Sequence, residues 1–220
     1  MPKNLAEFAH AALTAEAERD TPATQATATR PDIGAGPVVA DVCVRDDLGF
    51  VLLLHRRRDG QAAEELYFST RRDDGSWAAA DHLSGGVIGI DPTDDRDVAG
   101  VLRGRPLTPF GESETELFTG RPQADEGYER LCFHEILVGQ EVGHLDVERA
   151  SSGPDAGPSR FRKTPTCGVA LFALFPGERL TVRPVVEHDG PPGAPGQTYE
   201  LTCSDDGPGA DPGDRPADLG

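Results

Sequence analysis

Apolar and polar residues alternate with a period of two over residues 38 to 83, in runs separated by short polar turns. Successive side chains of a strand point to opposite faces, so this pattern marks strands with a buried side. The runs Val38 to Arg45, Phe50 to Arg57, Glu64 to Arg72 and Ser76 to Leu83 predict four strands. Asp46-Asp47-Leu48-Gly49, a looser turn around Asp59-Gly60, and Asp73-Asp74-Gly75 connect them. Glycine serves these turns because it reaches positive φ without a Cβ clash. The result is a four-stranded antiparallel meander.

A register follows from closing each turn. The first sets Val44 opposite Val51 and Val42 opposite Leu53; the second sets Leu53 opposite Phe68 and Arg56 opposite Glu65. The third sets Phe68 opposite Ala80 and Arg71 opposite Trp77. Val42, Val51, Leu53, Leu66 and Phe68 then share a core face, while Tyr67, Arg71 and Trp77 share a mixed one. Ala40, His55, Leu66 and His82 fall in one row, the two histidines roughly 9–10 Å apart by strand spacing.

A helical period over residues 4 to 18 places Leu5, Phe8, Ala9, Ala12 and Leu13 on one stripe, with Asn4 as its cap. A second helix starts at Asp91-Pro92-Thr93-Asp94, turns Val98, Val101 and Leu102 inward, and ends at Gly104. Residues 105 to 124 read as irregular. Residues 126 to 138 fit either period and are read as a helix. Val142 to Val147 is a strand, and residues 150 to 159 are a loop. Residues 166 to 175 and 179 to 187 are expected to form a hairpin around Pro176-Gly177, with Pro184 at an edge or bulge. Gln197 to Cys203 is a last strand. The fold class is α+β, predominantly antiparallel β: meander, C-terminal hairpin and strand, and two or three helices. The alternative is a two-sheet β-sandwich with helical insertions. The expected organisation is an amphipathic helix over 1–19, a linker over 20–36, one globular domain over 37–203, and a disordered acidic tail over 204–220.

Charge narrows the partners. The chain carries 38 acidic against 21 basic residues, a formal net charge of −17. Such a chain repels phosphate backbones, which excludes nucleic acid as a partner. Only Lys3 and Lys163 are lysine, and Ala, Gly, Pro and Asp abound, as in a GC-rich bacterial proteome. Cys43, Cys132, Cys167 and Cys203 are widely spaced, and no stretch reads as a secretory signal or a membrane span. Reduced thiols, a cytoplasmic location and no membrane partner are therefore expected.

Catalytic motifs are lacking: no phosphate-binding glycine loop, no Gly-x-Ser-x-Gly elbow, and no second histidine to make His134-Glu135 a zinc helix. The segment from Val39 to Gly60, including Val44-Arg45-Asp46-Asp47-Leu48-Gly49-Phe50 and Leu54-His55-Arg56, resembles the first hairpin of Nudix hydrolases. In that family an acidic helix with Arg-Glu and paired Glu residues follows and holds Mg²⁺. Here Ser84 to Arg103 offers Asp94, Asp95 and Asp97 without a Glu pair, so the resemblance stops at the hairpin and implies no metal chemistry. No cofactor or metal is expected.

The candidate sites are two. Trp77, Tyr67 and Arg71 form an aromatic–arginine platform suited to a protein partner, and Leu5, Phe8 and Leu13 of the N-terminal helix form a second contact stripe. The expected function is a cytoplasmic, non-enzymatic protein-interaction or accessory module. One alternative is a small hydrolase or metal-dependent enzyme using His55 and His82, with a third ligand from His134, His144 or His188. The other is an acidic immunity- or antitoxin-like protein that neutralises a basic partner.

Overall fold

The computed structural model of the chain describes residues 4–18, 31–121, 124–150, 158–186 and 198–204. Most of the expected linker, part of the loop over 150–159, His188, and all but the first residue of the expected tail lie outside them. In chain order the elements are α1 (Leu5–Ala17), β1 (Val38–Arg45), β2 (Leu48–Arg56), β3 (Ala62–Thr70), β4 (Asp81–Val87), α2 (Asp95–Leu102) and β5 (Leu107–Phe118). Then come β6 (Tyr128–Val138), β7 (Val142–Ala150), β8 (Ser159–Lys163), β9 (Val169–Leu174), β10 (Arg179–Val186) and β11 (Tyr199–Thr202).

These strands make three antiparallel sheets: β1-β2-β3-β4, β5-β6-β9 and β11-β10-β7-β8. Helix α1 covers the outer face of the first sheet. The first sheet packs on the middle one through Phe50, Leu52, Leu66, Phe133 and Leu171. The middle sheet packs on the third through Ile136, Leu145, Phe172 and Val182. Helix α2, capped by the Asp94 side chain on Arg96 N and Asp97 N, tucks Val98 and Leu102 into the first of these cores. The α+β class with a largely antiparallel core stands, with two helices among the described residues. None of these helices is long and apolar enough to cross a membrane.

The meander is present, but its register differs from the expected one. The first turn is tighter: Arg45 pairs with Leu48, and Asp46 takes φ 55°, a left-handed conformation that aspartate tolerates. The second turn closes on Arg57 and Gln61, so Phe50 faces Phe68 and Leu53 faces Glu65. That is a slip of three residues, and an odd slip exchanges the faces. Leu53 therefore lies under α1 with Tyr67 and Trp77, while Leu52 and Leu54 join Leu66 in the inter-sheet core. Arg71 keeps its bridge to Trp77, but the fourth strand begins only at Asp81. β2 is buried on both faces, so polarity marked neither.

The same physics explains the largest correction. Residues 126–138, read as a helix, and the supposedly irregular stretch before them form the paired strands β5 and β6. Leu131, Phe133 and Leu137 of β6 enter one core, and Cys132, Ile136 and Val138 enter the other. A strand covered on both faces reads as a continuous apolar run, which periodicity cannot separate from a buried helix. The expected hairpin over residues 166–187 is also absent. β9 pairs with β6, and β10 pairs with β7 and β11, so Phe175 to Glu178 carries the chain between sheets. Pro184 lies past the end of β11, next to an irregularity at Val185 and Val186.

Cys132 and Cys203 form a disulfide across 71 residues, with Cα atoms 5.6 Å apart. Cys43 and Cys167 are free and buried. The expectation of four reduced thiols is thus corrected, and the argument from reduced thiols to the cytoplasm loses its first step.

Helix α1 is fixed by more than its apolar stripe. Asn4 accepts from Ala6 N, the Trp77 indole Nε1 donates to Leu13 O at 3.1 Å, and His10 Nδ1 donates to Ala78 O at 2.8 Å. Gly49 makes the close approach possible, since a Cβ there would lie 2.5 Å from Leu13 Cδ2 and 2.9 Å from Trp77 Cη2. Gly49→Ala should therefore lift α1, costing about 1–3 kcal/mol as overpacking does. Trp77 is the only tryptophan and is 3% exposed, so its emission reads the event directly. A red shift is expected in the variant; an unchanged spectrum and melting temperature would contradict this packing.

Candidate functional site

β1 is an edge strand whose outer side meets no partner strand, and its carbonyls are met by side chains instead. Cys167 Sγ, Thr166 Oγ1 and Lys163 Nζ donate to the carbonyls of Val39, Ala40 and Val42, each at 3.1 Å. β1 in turn reaches the free edge of β9. Leu171 N donates to Asp41 Oδ2 at 2.6 Å, and Arg45 Nη1 donates to Ala173 O at 2.6 Å. An irregularity at Ala40 turns Asp41 toward β9. Beside this seam opens a cleft of about 1020 Å³. Phe8 and Ala12 of α1 form one wall, Val42 and Val44 of β1 the floor, and Arg149, Phe161 and Lys163 the other wall.

The seam is charged as well as hydrogen-bonded. Lys163 Nζ lies 2.8 Å from Asp41 Oδ2, with both side chains almost wholly buried. Burial pushes the Asp41 carboxyl up, against the pull of Lys163 and two backbone N–H groups. It receives three donors and faces no acceptor, so the ionised carboxylate is the form that fits. Burial is the largest influence on Lys163 and would lower it, but the Asp41 charge and hydrogen bond, together with Cys43 and Glu16, hold the ammonium above its ordinary value. Arg45 grips Glu178 through both nitrogens, at 2.9 and 2.8 Å. Burial would raise Glu178, yet this fork and the Phe175 N–H hold it below the usual carboxylate range.

Arg149 is different. Its guanidinium lies over the Phe161 ring at 5.2 Å, and its Nε is buried without a hydrogen-bond partner. Burial and the neighbouring Arg45 charge both press its pKa down, opposed by the more distant Glu178. No carboxylate lies within ion-pairing distance of it among the described residues.

A second buried polar pair sits away from the cleft. Glu64 of β3 and Glu135 of β6 meet across the core between the first and middle sheets, close enough for the Glu64 charge to raise the proton affinity of Glu135. The Oε2 atom of each is buried without a hydrogen-bond partner. Gly111 leaves room for this, since a Cβ there would lie 2.9 Å from Glu135 Oε2. Burial first, then the Glu64 charge, raises Glu135 to about 8.

Of the expected site residues, Phe8 and Arg71 line the cleft. Trp77, Tyr67, Leu5 and Leu13 face one another in the packing of α1 on its own sheet, so they do not form an open platform. His55 and His82 do not lie in the expected row with Leu66, which points to the opposite face. Both imidazoles instead meet Glu65: His55 Nε2 is 3.3 Å from Oε1, and His82 Nε2 is 2.6 Å from Oε2. No group of three or more His, Cys, Asp or Glu among the described residues is placed to hold a metal ion. His134 donates to Thr202 O, and His144 lies 3.4 Å from Asp146, both in the other two sheets. The cleft residues missed at the sequence level are Asp41, Lys163 and Arg149. Asp41 and Lys163 are 122 residues apart and share no motif. The available signal was Asp41 itself, a charge inside the apolar run Val38 to Val44.

No protein-family model, curated protein or solved structure matches the chain.

Two outcomes test this electrostatic account. Asp41→Ala strands the Lys163 ammonium and the Leu171 N–H, and should cost about 3–5 kcal/mol in denaturant unfolding. Replacing both partners by apolar residues, Asp41→Leu with Lys163→Met, should recover most of that loss. For Glu135, the raised folded-state pKa means the native state holds a proton that the unfolded state has released. Stability then falls as pH rises from about 4.5 to about 8, and levels off above, by up to about 1.4 kcal/mol per pH unit. Glu135→Gln should flatten that slope and raise the melting temperature at pH 8. An unchanged slope would show that the general acidity of the chain causes it.

Proposed function

We propose that the protein is a non-enzymatic binding module and that its ligand enters the cleft beside β1. The observation that carries this reading is the lining of about 1020 Å³: apolar side chains beside Arg71, Arg149, Arg162 and Lys163, with Glu16 on the α1 side and the free thiol of Cys43 buried beneath. Thr166 and Cys167 donate their hydrogens to β1 carbonyls. Asp41 and Lys163 neutralise each other. A concave, mixed surface of this size suits a small molecule or a short peptide segment. Helix α1 then acts as a wall of the site, and of its expected contact stripe Phe8, with Ala12 beside it, faces the cleft.

An enzymatic reading has one feature in its favour, the convergence of His55 and His82 on Glu65. Those groups line neither the β1 cleft nor the smaller hollow beside α2. A fragment screen by NMR on the full chain separates the two. Amide shifts concentrated at Val42, Val44, Arg149 and Phe161 are expected. Shifts concentrated around His55 and His82, with turnover in a hydrolase panel abolished by His82→Ala, would replace this reading with the enzymatic one.

A further inference from the structure

The cleft's ligand has a chemical class that Arg149, the one arginine of its lining that is not solvent-exposed, defines. Four arginines among the described residues are not solvent-exposed: Arg45, Arg121, Arg130 and Arg149. Three of them have acids at hand. Arg45 pairs with Glu178 at 2.8 Å, Arg121 with Asp47 at 3.4 Å, and Arg130 with Glu114 at 2.5 Å. A guanidinium withdrawn from water needs such a partner, because an unpaired buried charge is costly. Arg149 alone has none, and it is the one that lines the cleft.

Its neighbours cannot serve it. Glu178 is engaged by both nitrogens of Arg45, and Asp41 by Lys163 and two backbone donors. Arg149 therefore presents a partly desolvated planar fork with a buried, unsatisfied Nε. A desolvated guanidinium fork is the shape and charge that a carboxylate matches with two parallel hydrogen bonds. Apolar surface lies next to it. Val44 is 39% exposed and Phe161 is 37% exposed, two large hydrophobic side chains left to solvent on the cleft lining. Phe161 packs against the Arg149 guanidinium, so charge and apolar surface are contiguous.

Building on the cleft reading above, we propose that the site binds a small amphipathic organic carboxylate. The carboxylate engages Arg149, and the apolar body lies along Val44 and Phe161 toward Phe8 of α1. Arg71 lines the same cleft, stacked on Trp77 at 4.7 Å, and adds a second positive charge on the approach.

The test is a titration of the full chain with decanoate and with decanamide, the neutral amide of the same length, followed by amide NMR shifts and calorimetry. Decanoate should shift Val44 and Phe161 and bind at least ten-fold more tightly than decanamide. Arg149→Gln should abolish that difference, whereas Arg149→Lys, which keeps the charge without the fork, should retain part of it. The Trp77 emission of each variant checks that the fold is intact. Equal binding of decanoate and decanamide at the cleft would overturn the carboxylate assignment and leave the cleft as a binding site. The same holds if neither binds while uncharged fragments still shift the cleft residues. If no probe or fragment shifts the cleft, both the assignment and the binding reading fall.

Discussion

The Asp41–Lys163 ion pair is the contact on which the rest of the assembly depends, because it solves a problem of edges. β1 ends the first sheet and β9 ends the middle one, and the two strands lie in different layers. They leave backbone groups that no ladder can satisfy. Asp41 takes the Leu171 N–H, Lys163 takes the Val42 carbonyl, and the two charges neutralise each other at 2.8 Å. Arg45 repeats the device two turns of the pleat away, between Ala173 O and Glu178. Charged side chains thus replace main-chain pairing along a whole seam. The arrangement also protects an exposed edge from joining a foreign strand.

A seam built from charges sets the character of the hollow beside it. The seam engages Asp41 and Glu178, so the β-strand side of the cleft, where Arg149 stands, is left cationic in an acidic chain, with Glu16 on the α1 side. Net charge and local potential have opposite signs here. The Glu64–Glu135 pair shows the converse case. No base reaches it, and burial beside a like charge keeps a proton on the pair instead. The two solutions differ in their dependence on solution conditions: a buried ion pair is insensitive to pH near neutrality, whereas a proton kept by burial is not.

Legibility in the sequence followed exposure. The two helices have one wet face each; the cap at Asn4 could be read directly, and the start of the second was placed within Asp91 to Asp94, a turn ahead of the cap at Asp94. β1, flanked by a turn and a linker, could be read to the residue. Register could not, because both faces of β2 are covered and Leu52, Leu53 and Leu54 are equally apolar. Nothing in such a run says which leucine meets α1 and which meets the next sheet. β6 and β9 failed for the same reason, and the pairing of β9 with β6 was hidden by the closer β10. The cleft was legible in two residues, Phe8 and Arg71. Its charged members come from strands far apart in the chain and carry no spacing that marks them.

The middle sheet has a further consequence, in the order of assembly. Its strands β5 and β6 follow the meander, and β9 arrives only after β7 and β8 have left for the third sheet. Until β9 docks, the inner face of the meander lacks Leu171 and Ala173, and Arg45 lacks an acceptor 128 residues downstream. Closure of the molecule thus waits on contacts of long sequence separation, which carry the loop-closure entropy that slows β-rich folding. During synthesis the meander with α1 emerges as a half-built layer, apolar on the side where its neighbour is still missing. The acidic surface of the chain then has a role before the native state exists, holding such intermediates apart while the last strand is made.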